Sequence, residues 1–141
     1  MRNPYKKMMG NVKMASKNKG SARNTLSEDM KRTLVNGPNG PYRMKKTHKV
    51  DIVWEDLRDQ FETEQDNVDF WTGMPIDLDE IFVPHSIMAP SVDRLDDSKG
   101  YVKGNFVITT RFINLGRGTT SVEDFKIFLK NMKKTLTHMV I

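Results

Sequence analysis

The chain has 141 residues, with 23 Lys/Arg against 18 Asp/Glu and a net charge of +5, a length that suits one compact domain plus an extension. It has no cysteine, which excludes disulfides and a four-cysteine zinc site, and no apolar run long enough for a membrane-spanning helix. Hydrophobic residues make up 37% and mean hydropathy is −0.60, so a modest core is expected that does not engage every residue.

The charge is unevenly placed. Residues 1–50 carry 13 Lys/Arg against Glu28 and Asp29, a net of +11, whereas residues 51–141 carry 10 against 16 acids, a net of −6. A basic arm over 1–49 on an acidic body over 50–141 suggests a polyanionic partner for the arm. Residues 1–24 mix Lys, Asn, Ser and Gly without a clear period, so they are expected to be extended and to order on nucleic acid. Lys6, Lys7, Lys13, Lys17, Lys19 and Arg23 there, with Arg43, Lys45 and Lys46 further on, are expected phosphate contacts. Thr25-Leu26-Ser27-Glu28 reads as a capping box that opens a short helix to about Val35. The Asn36-Gly37-Pro38-Asn39-Gly40-Pro41 run breaks it, and a second basic run covers Tyr42 to Lys49.

Val50, Val53, Trp54, Leu57 and Phe61 recur at helical spacing, predicting an amphipathic helix over about 50–65 with Trp54 in the core. Val68 to Trp71 reads as a short strand closed by the Thr72-Gly73-Met74-Pro75 turn, with Trp71 as a large apolar plug. From Ile76 to Pro90 the pattern is a loop. Asp77, Asp79 and Glu80 have turn-like neighbours and read as solvated, and His85 is the one group there that titrates near neutral pH.

Residues 90–114 read PSVDRLDDSKGYVKGNFVITTRFIN. Ser91 to Leu95 predicts a strand, Asp96 to Gly100 a turn, and Tyr101-Val102 a resumed strand interrupted by Lys103-Gly104-Asn105. Phe106-Val107-Ile108 follow as a second strand. Thr109 or Thr110 then caps a short helix with Phe112, Ile113 and Leu115, ended by Gly116. Ser121 caps a last helix to about Thr135, with Val122, Phe125, Phe128, Leu129 and Met132 as its buried face. Within this block, Asp93 and Asn114 offer a carboxylate and an amide oxygen. These are hard ligands suited to Mg²⁺ or Mn²⁺. Two protein ligands leave room for phosphate oxygens, which suits phosphodiester cleavage.

The run SVDRLDDSKGYVKGN, followed nine residues later by Asn114 and preceded by Thr72-Gly73, resembles the ββα-metal (HNH) endonucleases, above all phage and homing types. The resemblance covers about residues 70–118, with its core motif at 90–118. It implies an α+β fold in which a hairpin plus helix packs with flanking helices, and a DNA endonuclease acting on double-stranded DNA. In that family an Asp-His pair supplies a metal ligand and a general base, a middle Asn braces the loop, and a His or Asn on the helix supplies the second metal ligand. Carried over by position, the resemblance implies metal on Asp93 and Asn114, with Asn105 as the brace. The cofactor would be Mg²⁺ or Mn²⁺, with no structural zinc.

At the position where that family carries histidine this chain has Arg94, and many of the phage-type members it resembles also read Asp-Arg there. Arginine stays protonated, so Arg94 is expected to clamp the scissile phosphate or stabilise charge in the transition state, leaving the base to the metal, Asp96, Asp97 or His85. Lys99, Lys103, Arg111 and Arg117 are expected to hold neighbouring phosphates. A monomer is expected, in the cytoplasm, that of the host if the source is viral. The alternatives are an inactive scaffold of this kind that only binds nucleic acid, and an interaction module whose basic arm takes RNA or an acidic protein.

Overall fold

The computed structural model describes residues 2–17 and 48–139. Residues 18–47, which hold the expected helix over 25–35, lie outside the described part. The fold is α+β. Helix α1 spans Pro4–Lys17, β1 Val50–Asp51, α2 Trp54–Asp59, β2 Pro90–Arg94, β3 Tyr101–Val102, β4 Phe106–Thr110, α3 Arg111–Arg117 and α4 Val122–Leu136. A π-helical turn, Gln60–Glu64, extends α2, and a 3₁₀ turn, Leu78–Phe82, precedes β2.

The N-terminal segment is not the extended arm its composition suggested. Asn3 Oδ1 accepts from the backbone N–H of Tyr5 (2.9 Å) and Lys6 (3.1 Å), and Pro4 takes the first helical position, so α1 is capped at its start. Tyr5, Met8, Met9 and Val12 then fall on one face and enter the core. Burying Met8, Met9 and Val12 contributes roughly 1.5–3 kcal/mol each, enough to hold a helix that would be marginal alone. This core also contains Leu57, Phe61, Val92 and Ile108, so α1 and the residues after 50 form one body.

Two further expectations shift. Val50 and Asp51 are not helical but pair in parallel with Tyr101 and Val102, and α2 begins only at Trp54, where Asp56 Oδ2 accepts the Val53 N–H at 2.8 Å. Trp54 packs against the core while remaining half-buried. Val68–Trp71 is not a strand. Only an isolated bridge joins Val68 to Pro75, because Asp69 bends the chain by accepting the N–H groups of Trp71 and Thr72.

β2 and β4 form an antiparallel pair, Val92 opposite Ile108 and Asp93 opposite Val107. With a period of two, Val92, Phe106 and Ile108 face the core, and Asp93, Val107 and Thr109 face the other side. Thr110 caps α3, its hydroxyl accepting from Ile113 N–H. The helix ends at Gly118 (φ +54°) rather than Gly116. Ser121 caps α4 as expected. Of that helix's expected apolar face only Phe125 is buried, edge-on to Trp71 at 4.9 Å, and Phe128 is exposed.

The segment at 48–51 is pinned by its backbone. The Tyr101 N–H donates to the Lys49 carbonyl at 2.7 Å, and a Cβ on Gly100 would fall on that same carbonyl. Gly100→Ala is therefore expected to separate β1 from β3 and to cost about 2 kcal/mol, read as a lowered urea midpoint with faster amide exchange at Tyr101. Unchanged exchange there would show that the close approach is not needed.

Candidate active site

α3 runs beside the unpaired edge of β2 and covers its carbonyls with side chains, which protects an otherwise open strand. Asn114 Nδ2 donates to the Val92 carbonyl (3.2 Å) and to Ser91 Oγ (2.8 Å). Arg117 Nη1 donates to the Arg94 carbonyl (2.8 Å), and Nη2 to the Leu95 carbonyl (2.9 Å).

Arg117 also closes a buried ion pair. Its Nη1 lies 2.7 Å from Asp93 Oδ1, with the two side chains 1% and 3% exposed. The other oxygen, Oδ2, accepts from Trp71 Nε1 at 2.9 Å, and the Arg117 guanidinium stacks 5.2 Å from the Trp71 ring. Burial pushes the Asp93 carboxyl above its ordinary value, while the Trp71 hydrogen bond and the Arg117 charge hold that rise in check. Arg117 is thus interior framework and not the phosphate contact its sequence position suggested. Trp71 is more than an apolar plug, because its indole N–H fixes the carboxylate.

An open cleft of about 530 Å³ is lined by His48, Asp93, Arg94, Asp97, Tyr101 and Asn114, among others. It brings together three of the four expected catalytic positions. The fourth, Asn105, is buried beneath the adjoining loop. Its Oδ1 accepts from Asp96 N–H (2.9 Å), and its Nδ2 donates to the carbonyls of Asp96 (3.1 Å) and Gly100 (2.9 Å). That is the geometry of a brace.

Arg94 crosses this loop. Its Nη1 lies 2.7 Å from His48 Nδ1, 3.2 Å from the Asp97 carbonyl and 3.4 Å from the Lys99 carbonyl, and its guanidinium stands 5.3 Å from the Tyr101 ring. Arginine only donates, so in this contact His48 Nδ1 is the acceptor. His48 was not singled out by sequence, since 46 positions separate it from Arg94. The signal available was Gly100, whose missing side chain admits the Lys49 backbone.

The other expected residues lie elsewhere. Asp96 lines a separate cavity, and hydrogen bonds from the Ser98 hydroxyl and N–H hold its carboxyl below the ordinary value, making it a weaker base. His85 lines a neighbouring cavity, which it shares with Asn114 and Arg111 but not Asp93. Lys99 and Lys103 are exposed beside Asp96 (3.9 Å) and Asp56 (4.0 Å). Lys17 is the last residue of α1, and Lys19, Arg23, Arg43, Lys45 and Lys46 fall outside the described residues.

Among the described residues no group of three or more His, Cys, Asp or Glu side chains could hold a metal, and the pair that the resemblance implies, Asp93 and Asn114, offers two ligands. The donors suit a hard cation in kind. The Val92 carbonyl can only accept, so it fixes Nδ2 of Asn114 toward β2 and turns Oδ1 the other way. Each Asp93 oxygen accepts one bond and keeps a second lone pair. Arg117 opposes the ion by already neutralising the carboxylate. Comparison with protein-family models, curated proteins and solved structures finds no match to this chain.

Removing one partner of a buried pair strands the other charge. Arg117→Met should cost about 3–5 kcal/mol in urea unfolding, whereas Arg111→Met, at an exposed position, should stay within about 0.5 kcal/mol. Equal costs would remove Arg117 from its framework role.

Proposed function

We propose that this chain is a metal-dependent endonuclease that hydrolyses phosphodiester bonds in double-stranded DNA, of the ββα-metal (HNH) kind and of phage or mobile-element type. The observation that carries the proposal is the cleft itself. It gathers Asp93, Arg94 and Asn114 from a strand and the helix after it, beside an imidazole from a distant segment. The sequence of strand, loop, strand and helix over 90–117 agrees with the resemblance.

Asp93 and the Asn114 amide oxygen would hold Mg²⁺ or Mn²⁺, which when bound supplies charge for the phosphate and for the departing oxygen. Arg94 supplies a permanent positive charge for a non-bridging phosphate oxygen. His48 Nδ1, which accepts from Arg94 Nη1 in this structure, is the candidate base for the attacking water. The water's proton then passes to Nδ1 while its oxygen bonds to phosphorus, and the leaving oxygen departs and is protonated by solvent. Asn105 and the Asn114 bonds to β2 keep these groups in place.

A second reading has a specific observation behind it. The Asp93 charge is already met by Arg117, as expected of a scaffold that binds nucleic acid without cutting it. Supercoiled plasmid separates the two. With Mg²⁺ or Mn²⁺ the wild type should nick it, EDTA should stop the reaction, and Asn114→Ala and His48→Ala should each slow it at least about a hundredfold without a large change in melting temperature. Asp93→Ala is a poor control, because it strands the Arg117 charge. Retardation of the plasmid with no nicking under either metal would favour the binding scaffold.

A further inference from the structure

Beside the cleft lies a second open cavity of about 590 Å³ between α1, the loop before β2 and α3. The two share Asn114 and Leu115 at their border. Lys7 and Arg111 line it with Asn11, His85 and Ser91, and no Asp or Glu does. That absence is informative in a body where acids outnumber bases after residue 50. Lys7 and Asn11 are four apart on α1 and so project from one face. Both are exposed, as is Arg111. Among the described residues neither Lys7 nor Arg111 makes a salt bridge or side-chain hydrogen bond, as is also true of the exposed lysines of α4, so what sets the groove apart is its concave, acid-free lining. His85 on the rim is held at φ +60°, a left-handed conformation that a non-glycine residue adopts at a cost.

We propose that this groove is a binding track for one DNA strand. Lys7 and Arg111 take oxygens of the phosphates next to the one in the cleft, and Asn11 donates to the same backbone. α1 is thereby one wall of the substrate site. Two unpaired cations in an acid-free concavity match repeating phosphodiester charge, and such contacts position a strand without reading its sequence. The proposal rests on the nuclease reading for the nature of the strand, while the binding itself requires no cleavage.

The test is the anisotropy of a short fluorescein-labelled DNA duplex in EDTA, titrated with the full-length protein across a salt series. Lys7→Gln with Arg111→Gln forms the groove pair. Lys130→Gln with Lys134→Gln, both exposed on α4, forms the control pair with the same loss of charge. The groove pair should bind about tenfold more weakly and show a log K against log salt slope shallower by about 1–2, since each phosphate contact contributes about 0.9. The control pair should follow the wild type, and all three proteins should melt alike. If the groove pair binds as wild type does, or both pairs weaken binding equally, the track is overturned while metal-dependent nicking leaves the nuclease reading standing. A wild type that neither binds the duplex at low salt nor nicks plasmid would end both.

Discussion

The Asp93–Arg117 pair is the contact on which the site depends. It joins the end of β2 to the end of α3 through the Trp71 turn, and it does so almost without water. Taking two charges out of water is expensive, and the mutual attraction offsets that expense only when the remaining donors and acceptors are met. Here they nearly are. The guanidinium reaches Asp93 and the carbonyls of Arg94 and Leu95, the indole N–H takes the second carboxylate oxygen, and only Arg117 Nε is left without a partner. Such a pair adds little net stability over an apolar substitute. What it adds is geometry: β2 and α3 cannot slide past each other without stranding a charge.

The face of the hairpin that carries Asp93 buries polar groups beside the apolar Val107. Asp69 is 1% exposed, yet its four bonds are complete. They come from the N–H groups of Trp71 and Thr72 on one oxygen, and from the Thr109 hydroxyl and Thr110 N–H on the other. Gln65 treats β4 as a neighbouring strand would, accepting from the Ile108 N–H (2.8 Å) and donating to its carbonyl (2.7 Å). Full satisfaction turns a buried polar layer from a liability into a rigid shelf. Trp71 stands on that shelf and holds Asp93, so the carboxylate at the cleft is positioned by residues that do not line it.

The hairpin and α3 were legible in the sequence because their signals are local: alternation in the strands, a glycine-ended turn and a threonine cap. α1 was obscured because its lysines dominate the composition of 1–24. The Asn3-Pro4 start and the Tyr5, Met8, Met9, Val12 spacing carried the information, and charge outweighed it. The exposed half of α4 shows the converse. Its expected face is only partly covered: Phe125 is buried and Val122, Leu129 and Met132 are half-buried, since a helix's pattern does not say how far its partner extends. Arg117 and His48 were misassigned or missed for one reason. Their roles come from contacts 24 and 46 positions away, and spacing within a motif cannot convey such contacts.

The docking of α1 changes what the basic region can be. The end of α1, through Ala15, lines a small cavity with Val92, Tyr101 and Asn114, and His48 lines the cleft that contains the same three residues. Ala15 and His48, each close to a boundary of the described residues, therefore stand beside the same site. The stretch between those boundaries carries seven Lys/Arg against two acids, and covalent connection alone, at an extended rise of about 3.5 Å per residue over about 30 residues, keeps each of them within about 50 Å of a boundary. The docking of α1 thus fixes where the basic composition of the N-terminal third is anchored, on a body in which acids outnumber bases after residue 50.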